Sequence, residues 1–402
     1  MAAIQTMDDL GEIAGQTAIV RVDFNVPLAA DGTVIDDTRL RSSLPTVIAL
    51  SRQHALVLLI SHLGRPKGAP QTRYSLRPVA LVYARLLGRE VHFIEDWTEA
   101  SGRRKIAALD PGDVALLENS RFYAGEERND PQLAAIMAGF SDFYINDAFS
   151  AAHRAHASTA GVAQLLPSYA GRALQAELDA LEAQMSRWQD PSVAIIGGAK
   201  ISTKIDVIER LIAKVDALII GGAMANTFLA ALGEGVGKSL FEPDLASEAL
   251  RIMDKANDQN CRLYLPSDVV VASELSAQPA SLRTSPVHGV NANEMILDLG
   301  PRSIAAISEI VSASKFVIWN GPLGAFEVPP FGHATAAIAL VLADLTVNGA
   351  LTSLAGGGDT LAALKKSGLG GEMSYVSTGG GAFLDWIAGK RLPGLEALRA
   401  AG

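Results

Sequence analysis

Short apolar runs alternate with longer stretches of helical periodicity along the whole chain. In the first half the runs are TAIVRVDFNVP, ALVLLISHLGRP, DVALLENSRF and DFYINDAFSAAHRAHAST. In the second half they are SVAIIGGAK, ALIIGGAMANT, RLYLPSDVVV, FVIWNGPLGAFE, LTSLAGGGDT and SYVSTGGGAF. Continuous apolar runs separated by helices mark parallel strands buried on both faces. The pattern predicts an α/β protein with two Rossmann-like three-layer domains, each around a parallel sheet, joined by a helical hinge. Leu174, Leu178, Leu181 and Met185 fall at helical spacing, so a connecting helix is expected there, ended by Asp190-Pro191. The expected division is an N-terminal domain over 1–172, a connecting helix and hinge over 173–189, a C-terminal domain over 190–388, and a tail over 389–402 returning to the N-terminal domain.

Ligands of open parallel sheets bind beyond the carboxyl ends of the strands. The residues just past each run are therefore informative. In the first half they are polar and repeatedly basic: Arg21, Asp23 and Asn25; His62 and Arg65; Asn119 and Arg121; His153, Arg154 and His156. Arg39 adds another cation in DDTRLRSSLPTVIAL, where a helix is expected to open. Guanidinium forks suit phosphate and carboxylate and stay charged when partly buried. The set points to a small substrate with several negative charges. In the second half most runs end in glycines, so bare backbone replaces the arginines.

Two glycine-rich turns there suit phosphate. GGAKISTKIDVIERLIAKVD reads as an amphipathic helix with Ile201, Ile205, Ile208, Leu211 and Val215 as its buried stripe. Lys200 and Lys204 are then one turn apart on one face, near the positive end of the helix dipole, an unfavourable placement that an anion would relieve. AGGGDTLAALKK would aim backbone amides and a helix N-terminus at a phosphate. Asp359 there is either an N-cap or a Mg²⁺ ligand. A third candidate, GEGVGKS, fails as a P-loop. Gly233 and Gly237 enclose three residues rather than four, and the stretch comes after a helix rather than a strand. Gly233 is expected to cap that helix, with Lys238 in solvent.

Composition narrows the class. At 402 residues the chain is long enough for two cores. It is 49% hydrophobic and 19% charged, without an apolar stretch near the ~20 residues that span a bilayer. A net charge of −9 argues against nucleic-acid or anionic-membrane partners. Cys261 is the only cysteine, and MAAIQTMDDLGEIAG lacks the basic and apolar regions of a secretory signal, so a cytoplasmic location is expected.

RVDFNVP, SHLGRP, ENSRF, NDAFSAAHRAHAS, GGAKISTK, WNGPLGAFE and GGGDT, in this order, resemble phosphoglycerate kinase over residues 20–385. The resemblance implies reversible, Mg²⁺-dependent phosphoryl transfer between 1,3-bisphosphoglycerate and ADP, giving 3-phosphoglycerate and ATP, in a cytoplasmic monomer. It implies that Asp23, Phe24, Asn25, Arg39, His62, Leu63, Gly64, Arg65, Arg121 and Arg154 bind the glycerate in the N-terminal domain. Lys204 would meet the nucleotide phosphates in the C-terminal domain, Glu327 the ribose, and Gly357, Gly358, Asp359 and Thr360 the phosphate and metal region. Asp359 is the implied metal ligand, and Arg39 and Lys200 the catalytic pair. The chain departs from the family pattern at Ser150 and Ala151, at Ala223 and at Gly332-His333. A carboxylate nucleophile is already ionised at neutral pH, so no general base is required. In-line transfer after domain closure is the expected course. An NAD-dependent dehydrogenase is disfavoured because no G-x-G-x-x-G stands in the first strand-to-helix turn. A non-catalytic two-domain anion binder would leave the second glycine-rich site unexplained.

Overall fold

The computed structural model describes residues 3–399. The chain forms two compact units, one taking Met1–Asp179 with Lys390–Gly402 and the other Ala180–Gly389.

The strands of the first unit are β1 (Thr17–Arg21), β2 (Leu56–Ile60), β3 (His92–Ile94), β4 (Val114–Leu117), β5 (Phe143–Asn146) and β6 (Ser168–Ala170). They form a six-stranded parallel sheet in the order β3-β4-β2-β1-β5-β6. Arg21 at the end of β1 registers with Ile60 on one side and Asn146 on the other. The core packs Ala18, Val20, Val57, Leu59, Leu116 and Ile145 of the sheet against Val47, Leu50, Val79 and Tyr83 of covering helices. After Gly389 the chain adds its last described segment to this unit: Gln5 N donates to the Leu398 carbonyl (3.1 Å), and Asn146 Nδ2 to that of Gly394 (3.2 Å).

The parallel strands of the second unit are β7 (Ser192–Ile196), β8 (Ala217–Ile220), β9 (Arg262–Tyr264), β13 (Phe316–Asn320), β14 (Thr352–Gly356) and β15 (Tyr375–Ser377). Their order across the sheet is β15-β14-β13-β7-β8-β9. The core joins Val193, Ile195, Ile219, Val317 and Trp319 to Ile307, Val311, Ile338 and Leu342. The run RLYLPSDVVV does not form one strand. It breaks at Pro266, which has no N–H to give a sheet ladder. β9 stays in the parallel sheet, whereas β10 (Asp268–Ala272) enters a three-stranded antiparallel sheet between β11 (Leu282–Pro286) and β12 (Met295–Leu299). The apolar pattern does not announce that small sheet, because β11 is mostly exposed and has no apolar run.

The helix Arg172–Met185 carries the boundary between the units at Asp179. Leu174, Leu178 and Leu181 are buried, as their spacing predicts, whereas Met185 at the helix end is only half-buried. The helix ends at Met185, before Asp190-Pro191. Its first turn is held by Asp147 Oδ1, which accepts from the amides of Ala173 (2.8 Å) and Leu174 (3.4 Å).

Candidate active site

β4, β2, β1 and β5 are four neighbours in the first sheet, and adjacent strands lie about 4.8 Å apart. The polar groups that come after them in sequence are thereby collected at one edge. Arg21 is buried at the end of β1. Its Nε donates to Ser158 Oγ (3.0 Å), and its Nη2 lies 2.9 Å from His62 Nδ1. Arginine has only donors, so His62 Nδ1 must accept and the ring is neutral with its proton on Nε2. Arg154 Nε likewise donates to His153 Nε2 (3.2 Å). Burial, reinforced by Arg21, Arg121 and Arg154, holds the His62 pKa well below the ordinary imidazole value. Burial and the neighbouring guanidiniums also push His153 down to about 4 and His156 to about 3. At neutral pH the positive charge of this surface therefore resides in arginines. Ser158 Oγ in turn donates to Glu126 (2.5 Å), a fully buried carboxylate.

Asp23 and Arg39 form an ion pair (2.8 Å), and Arg39 Nη1 also donates to the Asn25 carbonyl (3.1 Å). Asn25 Oδ1 receives Gly64 N (2.9 Å), and the Gly64 carbonyl receives Arg121 Nη1 (2.8 Å). Gly64 has φ +61° and packs under Tyr74, where a Cβ would meet the ring at 2.3 Å. Arg121 is buried and pairs with Glu127 (3.1 Å), whereas Arg65 is exposed. Phe24 and Leu63 differ from the other named positions because their side chains are in the core. Only their backbone is available to a ligand. Ser150, one of the departures from the family pattern, donates to Asp23 Oδ2 (2.5 Å).

In the second sheet the neighbours β14, β13, β7 and β8 end in glycines. They border a cavity of about 360 Å³ lined by Gly198, Ala223, Leu240, Met295, Leu323 and Asn226, with Glu327 and Asp359 among its few carboxylates. Gly357 has φ +102°, and a Cβ there would come within 2.6 Å of Asn320 Nδ2. The next helix, Gly358–Ser367, is capped by Gly357 rather than Asp359. Asp359 is exposed, and its side chain makes no hydrogen bond or ion pair among the described residues. Thr360 is buried, and its Oγ1 accepts Gly321 N (2.7 Å), which fixes one glycine turn against another.

The lysines depart from the helical expectation. The α-helix begins at Ile205, and Lys200 instead precedes a single 3-10 turn, Ile201–Thr203. Lys200 and Lys204 therefore do not share an α-helical face. Lys204 turns inward. Its Nζ donates to the Gly197 carbonyl (2.8 Å) and Asn320 Oδ1 (2.5 Å), with the Asn320 carbonyl at 3.4 Å. Burial lowers its pKa to about 8, opposed by the charge of Asp359. Asn320 Nδ2 continues this network to the Gly356 carbonyl (2.6 Å). Lys200 is exposed and makes no side-chain hydrogen bond or ion pair among the described residues.

Asp298 carries no signal in the sequence that marks it as functional. Asn320 stands at a strand end within WNGPLGAFE, a position that could have marked it, but nothing local names a partner for its side chain. Asp298 lies on β12, lines the cavity and accepts from Leu299 N (2.9 Å) and Ala334 N (3.1 Å). Burial pushes its pKa up to about 7 against those amide bonds. Among the described residues no group of three or more His, Cys, Asp or Glu is arranged to hold a metal ion. A single free carboxylate beside glycine amides does suit Mg²⁺, which is commonly held by one or two carboxylates together with substrate phosphates.

The family model for phosphoglycerate kinase matches residues 7–390. The chain belongs to the phosphoglycerate kinase family. The phosphoglycerate kinase of Zymomonas mobilis is 55% identical over 398 residues, covering 99% of this chain and all of that protein. The corresponding protein of Rhizorhabdus wittichii is 53% identical with the same coverage. Among solved structures, the phosphoglycerate kinase of Coxiella burnetii matches with a TM-score of 0.81 and 41% identity over 98% of this chain and 99% of that one. That of Pyrococcus horikoshii matches with a TM-score of 0.80 and 30% identity, covering 98% of each chain. Membership makes this chain an ATP-using kinase, a phosphotransferase with a carboxyl acceptor. No helix among the described residues is long and apolar enough to cross a membrane.

Proposed function

We propose that the phosphoglycerate kinase reaction runs in this chain as in-line transfer between a glycerate held by the first unit and a nucleotide held by the second. One observation carries the reading: each unit gathers its anion-binding groups at the ends of four neighbouring strands, one set made of guanidiniums and the other of glycine backbone. Asp23, Asn25, Arg39, His62, Gly64, Arg65, Arg121 and Arg154, with the backbone of Phe24 and Leu63, hold the glycerate. The cavity takes the nucleotide, with Glu327 at the ribose and Gly357, Gly358 and Asp359 toward the phosphates. Lys204 and Thr360 support that region from beneath, because their polar atoms already bond to neighbouring loops.

The attacking group, a carboxylate in the direction of 3-phosphoglycerate phosphorylation, needs no base to ionise it. Catalysis is then positioning and charge stabilisation. Arg39 and Lys200 serve the equatorial oxygens of the transferring group, and loss of either costs about 3–4 kcal/mol in the barrier. Asp359 would hold Mg²⁺ together with the nucleotide phosphates, and the ion would supply neutralising charge. Closure about the helix Arg172–Met185 is the step that joins the two ligands and excludes water. Small-angle scattering with both ligands bound checks it: no compaction would remove this step. The chain is further read as cytoplasmic and without nucleic-acid partners, supported by its net charge of −9 and its single, buried cysteine, and as a monomer on the family resemblance alone.

The decisive assay supplies 3-phosphoglycerate and MgATP, traps acyl phosphate with hydroxylamine and measures ADP in parallel. Equal hydroxamate and ADP are expected. ADP without hydroxamate would mean hydrolysis or another acceptor.

A further inference from the structure

The stretch GEGVGKSLFE, which resembles a P-loop only in outline, forms a strap across the second unit. It comes after the helix Ala223–Ala231, and Gly233 (φ +90°) turns the chain out of it. Gly237 (φ +56°) passes so close to the small sheet that a Cβ would lie 2.3 Å from the Glu294 carbonyl. Lys238 N donates to that same carbonyl (2.7 Å), and Ser239 Oγ accepts Ile296 N (2.8 Å). Asn226 Nδ2 ties the Leu240 carbonyl to the helix (3.0 Å), and Thr227 Oγ1 accepts Glu242 N (3.1 Å). The strap is thus fixed along its length before it reaches Glu242.

The Glu242 side chain then grips the turn just after Lys200. Its Oε1 accepts Ser202 Oγ (2.6 Å), and its Oε2 accepts Ser202 N (3.0 Å). That turn has no side-chain cap of its own. Glu242 therefore satisfies, from 40 residues away, a donor that a local capping residue would normally take. Burial opposes ionisation of Glu242, but hydrogen bonds from Ser202 and Ile201 and the charge of Lys200 leave its pKa below the usual carboxylate value. Ser202 is exposed, so the clasp buries little apolar surface, and the geometry it fixes belongs to the backbone carrying Lys200.

We propose that Glu242 is a positioning residue for Lys200, its carboxylate holding the turn from which the lysine reaches the transferring phosphoryl group. This rests on the reading of Lys200 as catalytic. A preset turn spares the ordering of that backbone in the transition state, where misplacement is costly.

Single-turnover transfer rates, and KM values for 3-phosphoglycerate and ATP, would be measured for Glu242→Ala, Ser202→Ala, Lys200→Ala and the double variant Glu242→Ala/Lys200→Ala. Glu242→Ala is expected to lower the transfer rate about tenfold and Ser202→Ala about threefold, both with KM for 3-phosphoglycerate nearly unchanged. Added to Lys200→Ala, Glu242→Ala should produce no further fall, because its effect passes through the lysine. A full further fall would overturn the proposal, as would an unaltered transfer rate in folded Glu242→Ala. If Glu242→Ala does not fold, Ser202→Ala alone and combined with Lys200→Ala decides by the same two criteria. Retained turnover in Lys200→Ala would instead overturn the assignment of the lysine, a failure visible without any change at Glu242.

Discussion

At the ends of β4, β2, β1 and β5 the first unit presents Arg21, Arg65, Arg121 and Arg154 with three imidazoles among them. At the ends of β14, β13, β7 and β8 the second presents glycines, and its inner lysine is already taken by Gly197 and Asn320. The sheets offer equivalent edges, so the contrast comes from what was placed on them. A side-chain site concentrates cationic charge. Its cost is visible in His62, His153 and His156, which are driven neutral by burial and by the arginines beside them. A backbone site needs no net charge, because amide dipoles at a helix start favour an anion. Its cost is steric: Gly357 has a left-handed φ and no room for a Cβ. The first site should be sensitive to charge and the second to shape.

The largest effect should come from the cations offered to the transferring group, one from each unit. Arg39→Ala and Lys200→Ala are each expected to lower kcat by about a hundred- to a thousandfold. Pre-steady-state transfer measurements check this, and a large loss in only one variant would break the symmetry between the units. Next, Arg121→Ala or Arg154→Ala should weaken 3-phosphoglycerate binding by about ten- to a hundredfold while leaving nucleotide binding unchanged, from the typical value of a charged hydrogen bond. Calorimetry with each ligand separately would expose any cross-effect. Gly357→Ala tests the other side. Strain of about 1–3 kcal/mol should weaken ADP binding by about tenfold, with 3-phosphoglycerate unaffected. Normal ADP affinity in that variant would show that the glycine is not needed for close approach.

The smallest effect concerns pH and has opposite signs in the two units. His153 and His156 have folded-state pKa values lowered to about 4 and about 3, so their contribution to stability is present above the unfolded value near 6.5. It is lost as pH falls through those folded values. Asp298 is raised to about 7, so its contribution is present below the unfolded value near 3.8 and is lost as pH rises through 7. Denaturant unfolding between pH 4 and 8 should therefore show less acid sensitivity in His156→Asn and a flatter decline toward neutrality in Asp298→Asn. Identical pH profiles for both variants and the parent would contradict the assigned burial effects.

Much of this was legible in the sequence because it is local. Continuous apolar runs marked the central parallel strands, and the residues just beyond them are in fact the ones the sheets gather. A helix start near Asp359-Thr360 could be read from the amphipathic segment that comes after the glycines, one residue short of the actual start at Gly358, and Gly233 could be read as a helix terminus. The strands β3, β6, β11 and β12 were not among the runs read. The first two are short, β11 is mostly exposed, and in β12 Asp298 interrupts the apolar residues of MILDL.

By itself, then, the sequence determined the α/β architecture of both units and the chemical character of each strand end, since burial on two faces and backbone freedom are written residue by residue. Which side chains reach a ligand was decided by tertiary structure. Lys204 turns inward because Gly197 and Asn320, brought together by the pairing of β7 with β13, offer it acceptors that local periodicity cannot reveal. Phe24 and Leu63 lose their side chains to the core, and Glu242 reaches Ser202 only because the strap is pinned between a helix and a small antiparallel sheet. Hydrogen bonds and charges act through space, and the distances through which they act are fixed by strand order and packing.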